Sequence, residues 1–136
     1  ATGLFPFGYG LSYTTFAYSP PVGDATALRG ADARVMVRVT VENTGARRGT
    51  TVVQLYVRDP VARITRPLSE LKGFEKVSLA PGERREIVFT LALADLSYLV
   101  GDSVATLERV VDPGTFVLAT GPDSRALQTV EITWHP

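Results

Sequence analysis

The run Arg34-Val35-Met36-Val37-Arg38-Val39-Thr40-Val41-Glu42 alternates without a break. In an extended chain its four valines share one face, while Arg34, Met36, Arg38 and Thr40 share the other. A strict period of two predicts an antiparallel strand with one face buried and one in water. Asn43-Thr44-Gly45 then supplies turn residues. Thr51-Val52-Val53-Gln54-Leu55-Tyr56-Val57-Arg58 is β-branched and aromatic and stops at Asp59-Pro60, which predicts a second strand with Val53, Leu55 and Val57 inward.

The same pattern continues. Val61 to Leu71, with its breakers and mixed charge, reads as a long connection. Leu71 to Leu79 predicts a short strand ended by Ala80-Pro81-Gly82-Glu83. Glu86 to Leu93 predicts another, with Ile87, Phe89 and Leu91 inward. Asp95-Leu96-Ser97-Tyr98 suits a single helical turn, and Leu96–Val100 with Val104–Val111 suits a looser hairpin around Gly101-Asp102. Asp112-Pro113-Gly114 is a turn, because Pro fixes φ and Gly accepts positive φ. Thr115–Thr120, the Gly121-Pro122-Asp123 turn and Leu127–Trp134 complete the set. Ser19-Pro20-Pro21-Val22-Gly23-Asp24 reads as a loop.

Seven or eight short strands separated by turns, with no sustained helical period, predict an all-β fold: a two-sheet antiparallel sandwich of immunoglobulin-like type. Its expected core is Val35, Val37, Val39, Val53, Leu55, Phe89, Phe116 and Leu118. A chain of 136 residues is one domain by size and long enough for a real core.

Residues 1–15 stand apart. Leu4-Phe5-Pro6-Phe7-Gly8-Tyr9-Gly10-Leu11-Ser12-Tyr13 carries four aromatic rings broken by Pro and Gly, so it cannot bury them as one helical stripe. Phe5, Phe7, Tyr9 and Tyr13 are candidate interdomain contacts. The rings could stack on sugars, pack on a neighbouring domain, or fold back on this chain's own sheet. The last two are the simpler readings. With Ala1 in first position, this predicts that 1–15 leads in from a missing upstream domain and that 16–136 is the sandwich. Exposed rings in the isolated chain also predict weak self-association.

Chemistry is sparse. The one histidine, His135, is next to the end of the chain and reads as a frayed terminal residue. No cysteine is present, which removes disulfides and thiolate sites and leaves the compartment open. Gly8-Tyr9-Gly10 begins like a dinucleotide loop but lacks the third glycine and a preceding strand. Asp24, Asp59, Glu83, Asp102, Asp112 and Asp123 all fall in predicted turns, where acids bond the local backbone or face solvent. Glu42, Glu86 and Glu131 sit at strand ends or on polar faces. No opposed carboxylate pair stands out, so no catalytic, cofactor-binding or metal-binding residue is assigned and no cofactor is expected. Net charge is zero, with Arg47-Arg48 and Arg84-Arg85 as the only basic doublets, so neither nucleic acid nor membrane is expected as a partner.

Phe5-Pro6-Phe7-Gly8-Tyr9-Gly10-Leu11-Ser12-Tyr13-Thr14-Thr15-Phe16 resembles the segment leading into the C-terminal fibronectin type III-like domain of glycoside hydrolase family 3 enzymes. Val41-Glu42-Asn43-Thr44-Gly45 is similar to the family's V-x-N-T-G turn, and Val53–Val57 to its V-Q-L-Y-V strand. Arg66–Val77 matches R-P-x-x-E-L-K-G-F-x-K-V. Leu79–Glu83 and Asp112–Phe116 fit two further turns. The blocks keep order and spacing over nearly the whole chain. One position departs: where the family has Trp before its V-V-[DE]-P-G turn, this chain has Arg109, and a more solvated hairpin is expected there. The excess of Arg over Lys, twelve to two, points to a GC-rich bacterial source. The resemblance implies a parent enzyme that hydrolyses β-linked sugars, of β-glucosidase or β-xylosidase type. Its catalytic residues lie in upstream domains, and this chain serves as a non-catalytic accessory domain that stabilises them. Two alternatives stay open. One is an autonomous carbohydrate-binding or adhesion module. The other is a connection 61–71 that reaches the parent's cleft through Arg63 or Arg66.

Overall fold

The alternating valines form β4 (Arg34–Asn43), the spine of one sheet. On one side β4 pairs antiparallel with β7 (Arg84–Ala92), and on the other with β1 (Phe16–Tyr18) and β2 (Val22–Gly23) in succession. The second sheet has the order β3 (Ala27–Arg29), β11 (Gln128–His135), β10 (Gly114–Gly121), β5 (Gly49–Asp59) and β6 (Leu68–Leu79). All its pairings are antiparallel except β3 with β11. The computed structural model describes residues 14–59, 68–101 and 103–136. No α-helix occurs among these residues; single 3₁₀ turns form at Leu93–Leu96 and Val104–Thr106.

The chain changes sheet repeatedly; two of these crossings, the 44–48 turn between β4 and β5 and the 80–83 turn between β6 and β7, lie side by side at one end. The inner faces meet in two clusters. One gathers Val35, Val37, Leu55, Val57, Phe116, Leu118, Ile132 and Trp134; the other gathers Val39, Val41, Val53, Val77, Leu79 and Ile87. The valines of β4 run through both, so its period of two fixes the register of the interior. Seven of the eight expected core residues are fully buried. Phe89 is half-buried. It points inward and borders both clusters, but β7 is an edge strand and leaves one side of the ring open. Across from it, a Cβ on Gly73 would lie 3.2 Å from the Phe89 ring, so glycine there gives the ring its room.

Several expectations need correction. Ser19–Asp24 is more than a loop: β2 lies inside it, and Asp24 exchanges two 2.9 Å hydrogen bonds with the Met36 backbone, one from its N–H and one to its carboxylate. β1 and β3 also went unforeseen, because strands of two or three residues carry no measurable period. β6 begins at Leu68, not Leu71. A bulge between Leu55 and Tyr56 makes Lys72 an extra residue, and pairing resumes as Tyr56 with Leu71. His135 is not frayed: it pairs with Arg29 in β3, and its carbonyl accepts the Gly30 N–H at 3.0 Å. The hairpin exists as β8 (Tyr98–Val100) against β9 (Glu108–Val110), and residues 103–109 are exposed. Asp102, in its predicted turn, and residues 60–67 lie outside the described residues.

Phe116→Ala is expected to cost about 3–5 kcal/mol in denaturant unfolding, since its ring is fully buried. Phe89→Ala should cost clearly less. Equal losses would contradict the half-open position of Phe89.

Candidate functional site

The candidate contacts Phe5, Phe7, Tyr9 and Tyr13, like the Gly8–Gly10 glycines, lie outside the described residues. The corner that receives the chain after them is well defined. Asn43 ends β4 with no exposed surface, and its side-chain amide makes four hydrogen bonds. Its Oδ1 accepts from the Thr14 hydroxyl at 2.7 Å and from the Gly45 N–H at 3.0 Å. Its Nδ2 donates to the Arg47 carbonyl at 2.7 Å and to the Leu79 carbonyl, in the opposite sheet, at 2.9 Å. An amide has two donors and room for two acceptor bonds, so this one is fully used. Thr44 N–H donates to the Thr15 carbonyl at 2.9 Å. A Cβ on Gly45 would stand 2.0 Å from the Thr14 hydroxyl, so only glycine lets the entering chain come this close.

Two further bonds hold β1 against the second sheet. The Tyr18 hydroxyl lies 2.6 Å from the Thr51 hydroxyl, and Gln128 Nε2 donates to the Tyr18 carbonyl at 2.8 Å. Burial raises the Tyr18 pKa, opposed in part by its bond to Thr51. The neighbouring 80–83 turn is closed by Glu83, whose Oε1 accepts the Ala80 N–H at 2.8 Å and whose Oε2 pairs with Arg85 at 3.2 Å. The backbone bond from Ala80 is the main reason the Glu83 pKa lies below the ordinary glutamate value.

The opposite end of the sandwich gathers charge. Asp59, Glu70, Lys72 and Asp95 line one cavity with Ser97 and Tyr98. The bulge turns Lys72 into it, where the ammonium pairs with Glu70 at 3.0 Å. Asp95 accepts the Ala92 N–H at 2.8 Å and so closes the 3₁₀ turn. Ser97 donates to the Ala94 carbonyl at 2.6 Å and receives Arg109 Nη1 at 3.1 Å. The buried Tyr98 donates its hydroxyl to Asp112. Asp59 is buried at the end of β5, which corrects its reading as a turn acid. Glu83 and Asp123 bond the local backbone, as expected of turn acids, whereas Asp24 reaches the Met36 backbone twelve residues on and Asp112 bonds the Tyr98 side chain.

The cavity measures about 10 Å³, roughly the space of one water and far too small for a sugar ring. Retaining or inverting hydrolysis needs a glycosidic bond between the carboxylates, which no space of this size admits. Among the described residues no group of three metal-ligating side chains converges. A shallower groove of about 390 Å³ runs over the outer face of the first sheet, past Ser19, Thr40 and the Glu42–Arg84 ion pair of 3.3 Å. It holds one carboxylate and no second acid facing it. Neither cluster was foreseen from sequence. The signal for the charged end was the Glu70-Leu71-Lys72-Gly73 run, in which a bulge can hide.

Comparison with known proteins accords with these features. The profile described as "Fibronectin type III-like domain" matches residues 51–124, just over half of the chain. A β-xylosidase of Formosa agariphila is 46% identical over 97% of this chain, which spans 18% of that relative. A periplasmic β-glucosidase of Salmonella typhimurium is 40% identical over 89% of the chain, which spans 15% of it. A solved β-glucosidase from Erythrobacter marinus superposes with a TM-score of 0.81 at 43% identity, covering 96% of this chain and 17% of its own. The chain thus spans less than a fifth of the length of the relatives it matches.

Two outcomes test the Asn43 corner. Asn43→Ala leaves the Leu79 and Arg47 carbonyls and the Gly45 N–H without their partner, and is expected to cost about 3–5 kcal/mol and to speed proteolysis before Phe16. Unchanged stability in a denaturant titration would remove Asn43 from the role given to it. For Glu83, folding lowers the pKa, so the unfolded chain takes up the proton first. Its stabilising share is present above the ordinary value of 4.5 and fades as pH falls through the lower folded value. Glu83→Gln should therefore flatten the acid side of the stability-against-pH curve and leave its neutral side parallel to wild type.

Proposed function

The chain belongs to the fibronectin type III-like domain family, and from that premise we propose that it is the non-catalytic C-terminal accessory domain of a longer family 3 glycoside hydrolase. The parent would cleave β-linked sugars as a β-glucosidase or β-xylosidase does, and this domain would stabilise the parent's catalytic domains. The observation that carries the reading is the match of nearly the whole chain, end to end, to less than a fifth of enzymes named β-xylosidase and β-glucosidase. The family resemblance in motif order over the same length points the same way.

The physical chemistry supports a division of labour. The described carboxylates that gather at all are committed to closing turns and to a cavity without room for substrate. Residues 1–15 would lead in from the preceding domain and 16–136 would form the sandwich, with the upstream catalytic domains as its partner. The Asn43 corner supports this arrangement, because Asn43 and Thr44 hold the chain at Thr14 and Thr15 while the same Asn43 amide is bonded to Leu79 of the second sheet. Weak self-association of the isolated chain would follow if the rings of Phe5, Phe7 and Tyr9 lost their covering surface.

The isolated chain is expected to release no chromophore from aryl β-glycosides, even at high protein concentration. Removing the domain from the longer polypeptide should lower that polypeptide's thermal midpoint and its yield of active enzyme. Turnover that tracks the isolated chain through purification, and vanishes when one of its carboxylates is replaced, would overturn the reading.

A further inference from the structure

The two outer faces of the sandwich differ in kind. On the β4–β7 sheet the exposed side chains of Val22, Met36 and Val88 are separated by Arg34, Arg38, Glu42, Arg84 and Glu86, both signs interspersed, with Glu42 and Arg84 paired. Charge scattered through the middle of a face suits contact with water. On the β5–β6 pair the outward positions are Val52, Gln54 and Tyr56 opposite Lys76, Phe74 and Leu71. Charge appears there only at the margins, as Lys76 at one end and Arg58 at the other. Phe74 is 67% exposed and Leu71 47% exposed, on either side of the bulge in β6, which pairs with β5 along its length. The Tyr56 hydroxyl donates to Gln54 Oε1 at 3.0 Å, which holds its ring beside Phe74's position across the ladder. Ala119, opposite Tyr56 and outward by alternation, has no exposed surface at all. The face is thus an aromatic ridge over a small-residue floor.

The geometry points to this Tyr56–Phe74–Leu71 face as the docking surface for the rest of the same polypeptide, through an apolar patch with carboxylates placed to meet Arg58 and Lys76. The inference rests on the reading of the chain as one domain of a longer enzyme and names the surface that reading needs. Three observations choose the occupant. Aromatic residues with charge depleted at the centre are the mark of an interface core, and cations at the margin call for acids opposite. Thr14 is bonded to Asn43, whose amide also holds the Leu79 carbonyl, so the entry to the sandwich lies at the end where β6 closes. The relatives are more than five times as long as the matched stretch, so a tethered neighbour is present at high effective concentration. A second copy laid face to face would instead set Arg58 and Lys76 of each molecule against the other's cations.

The test is hydroxyl-radical footprinting of the longer polypeptide and of this 136-residue chain, read by mass spectrometry at Tyr56, Phe74 and, on the other face, Met36. Phe74 should be labelled several-fold less in the longer polypeptide, with Met36 labelled equally in both. Phe74→Ser should lower the thermal midpoint of the longer polypeptide by several degrees and leave the isolated chain unchanged, whereas Val88→Ser on the opposite face changes neither. Equal labelling of Phe74 in the two proteins overturns the inference. So does protection in the isolated chain that grows with its concentration, which gives the face to a second copy, or with added xylo- or cello-oligosaccharide, which gives it to a glycan. Hydrolysis of an aryl β-glycoside, measured on the same longer polypeptide, separates the two claims. Activity with Phe74 fully labelled sinks the docking face alone; protection without activity upholds the face and counts against the glycosidase reading.

Discussion

The Asn43 amide sits where the chain passes from one sheet to the other, and four hydrogen bonds converge on it from three segments. A buried amide is tolerable only if each of its groups finds a partner, so its position fixes the partners as firmly as they fix it. Through the Leu79 carbonyl it sets the distance between the sheets at that end. Through Thr14 it sets where the N-terminal chain joins the sandwich. The 80–83 turn is attached to the same residue by its backbone: the Asn43 N–H donates to the Glu83 carbonyl at 3.0 Å, and the Asn43 carbonyl accepts from the Gly82 N–H at 2.8 Å. One residue thus coordinates the β4–β5 and β6–β7 crossings and the entry of the chain.

The far end of the sandwich is organised by a different device. An extra residue in β6 re-aims Lys72 inward and lets the ladder with β5 continue to Asp59 and Leu68. The resulting cavity is lined by charge but has almost no volume, so its groups meet one another and the backbone instead of a ligand. Charge brought together without space is a structural joint. The bulge has a second effect, since it twists the long edge strand β6 and, with Lys72 and Lys76, makes it a poor template for pairing with another sheet.

Among the described residues the inner faces are filled and the charged cavity has no room for a sugar, so the role proposed for this domain rests on its surface. The two outer faces differ in where charge lies: scattered among Val22, Met36 and Val88 on one, and kept off the Tyr56–Phe74–Leu71 centre on the other. The proposed accessory role and the proposed docking face both rest on that asymmetry, one at the level of the whole polypeptide and one at the level of Tyr56, Leu71 and Phe74.

Much of the fold was legible from local pattern. The period of two in Val35–Val41 and in Val53–Val57 placed the inward side chains correctly, because alternation is a property of a single strand and needs no knowledge of its partner. The turns at Gly82, Gly114 and Gly121 were legible for the same reason. What lay beyond the sequence depended on partners far away in the chain. β1, β2 and β3 exist because β4 and β11 offer them backbone groups, which three residues of sequence cannot announce. His135 is held by β3, and Asp59 is buried by a bulge thirteen residues later. Asn43 read as a turn residue and proved to be the joint between sheets, since three of its four side-chain bonds are to Arg47, Leu79 and Thr14. The sequence by itself determined which residues face inward, where the chain turns, and which family it resembles. Only the tertiary structure decided which polar side chains meet, because hydrogen bonds and charge pairs depend on distances in space that no period along the chain records.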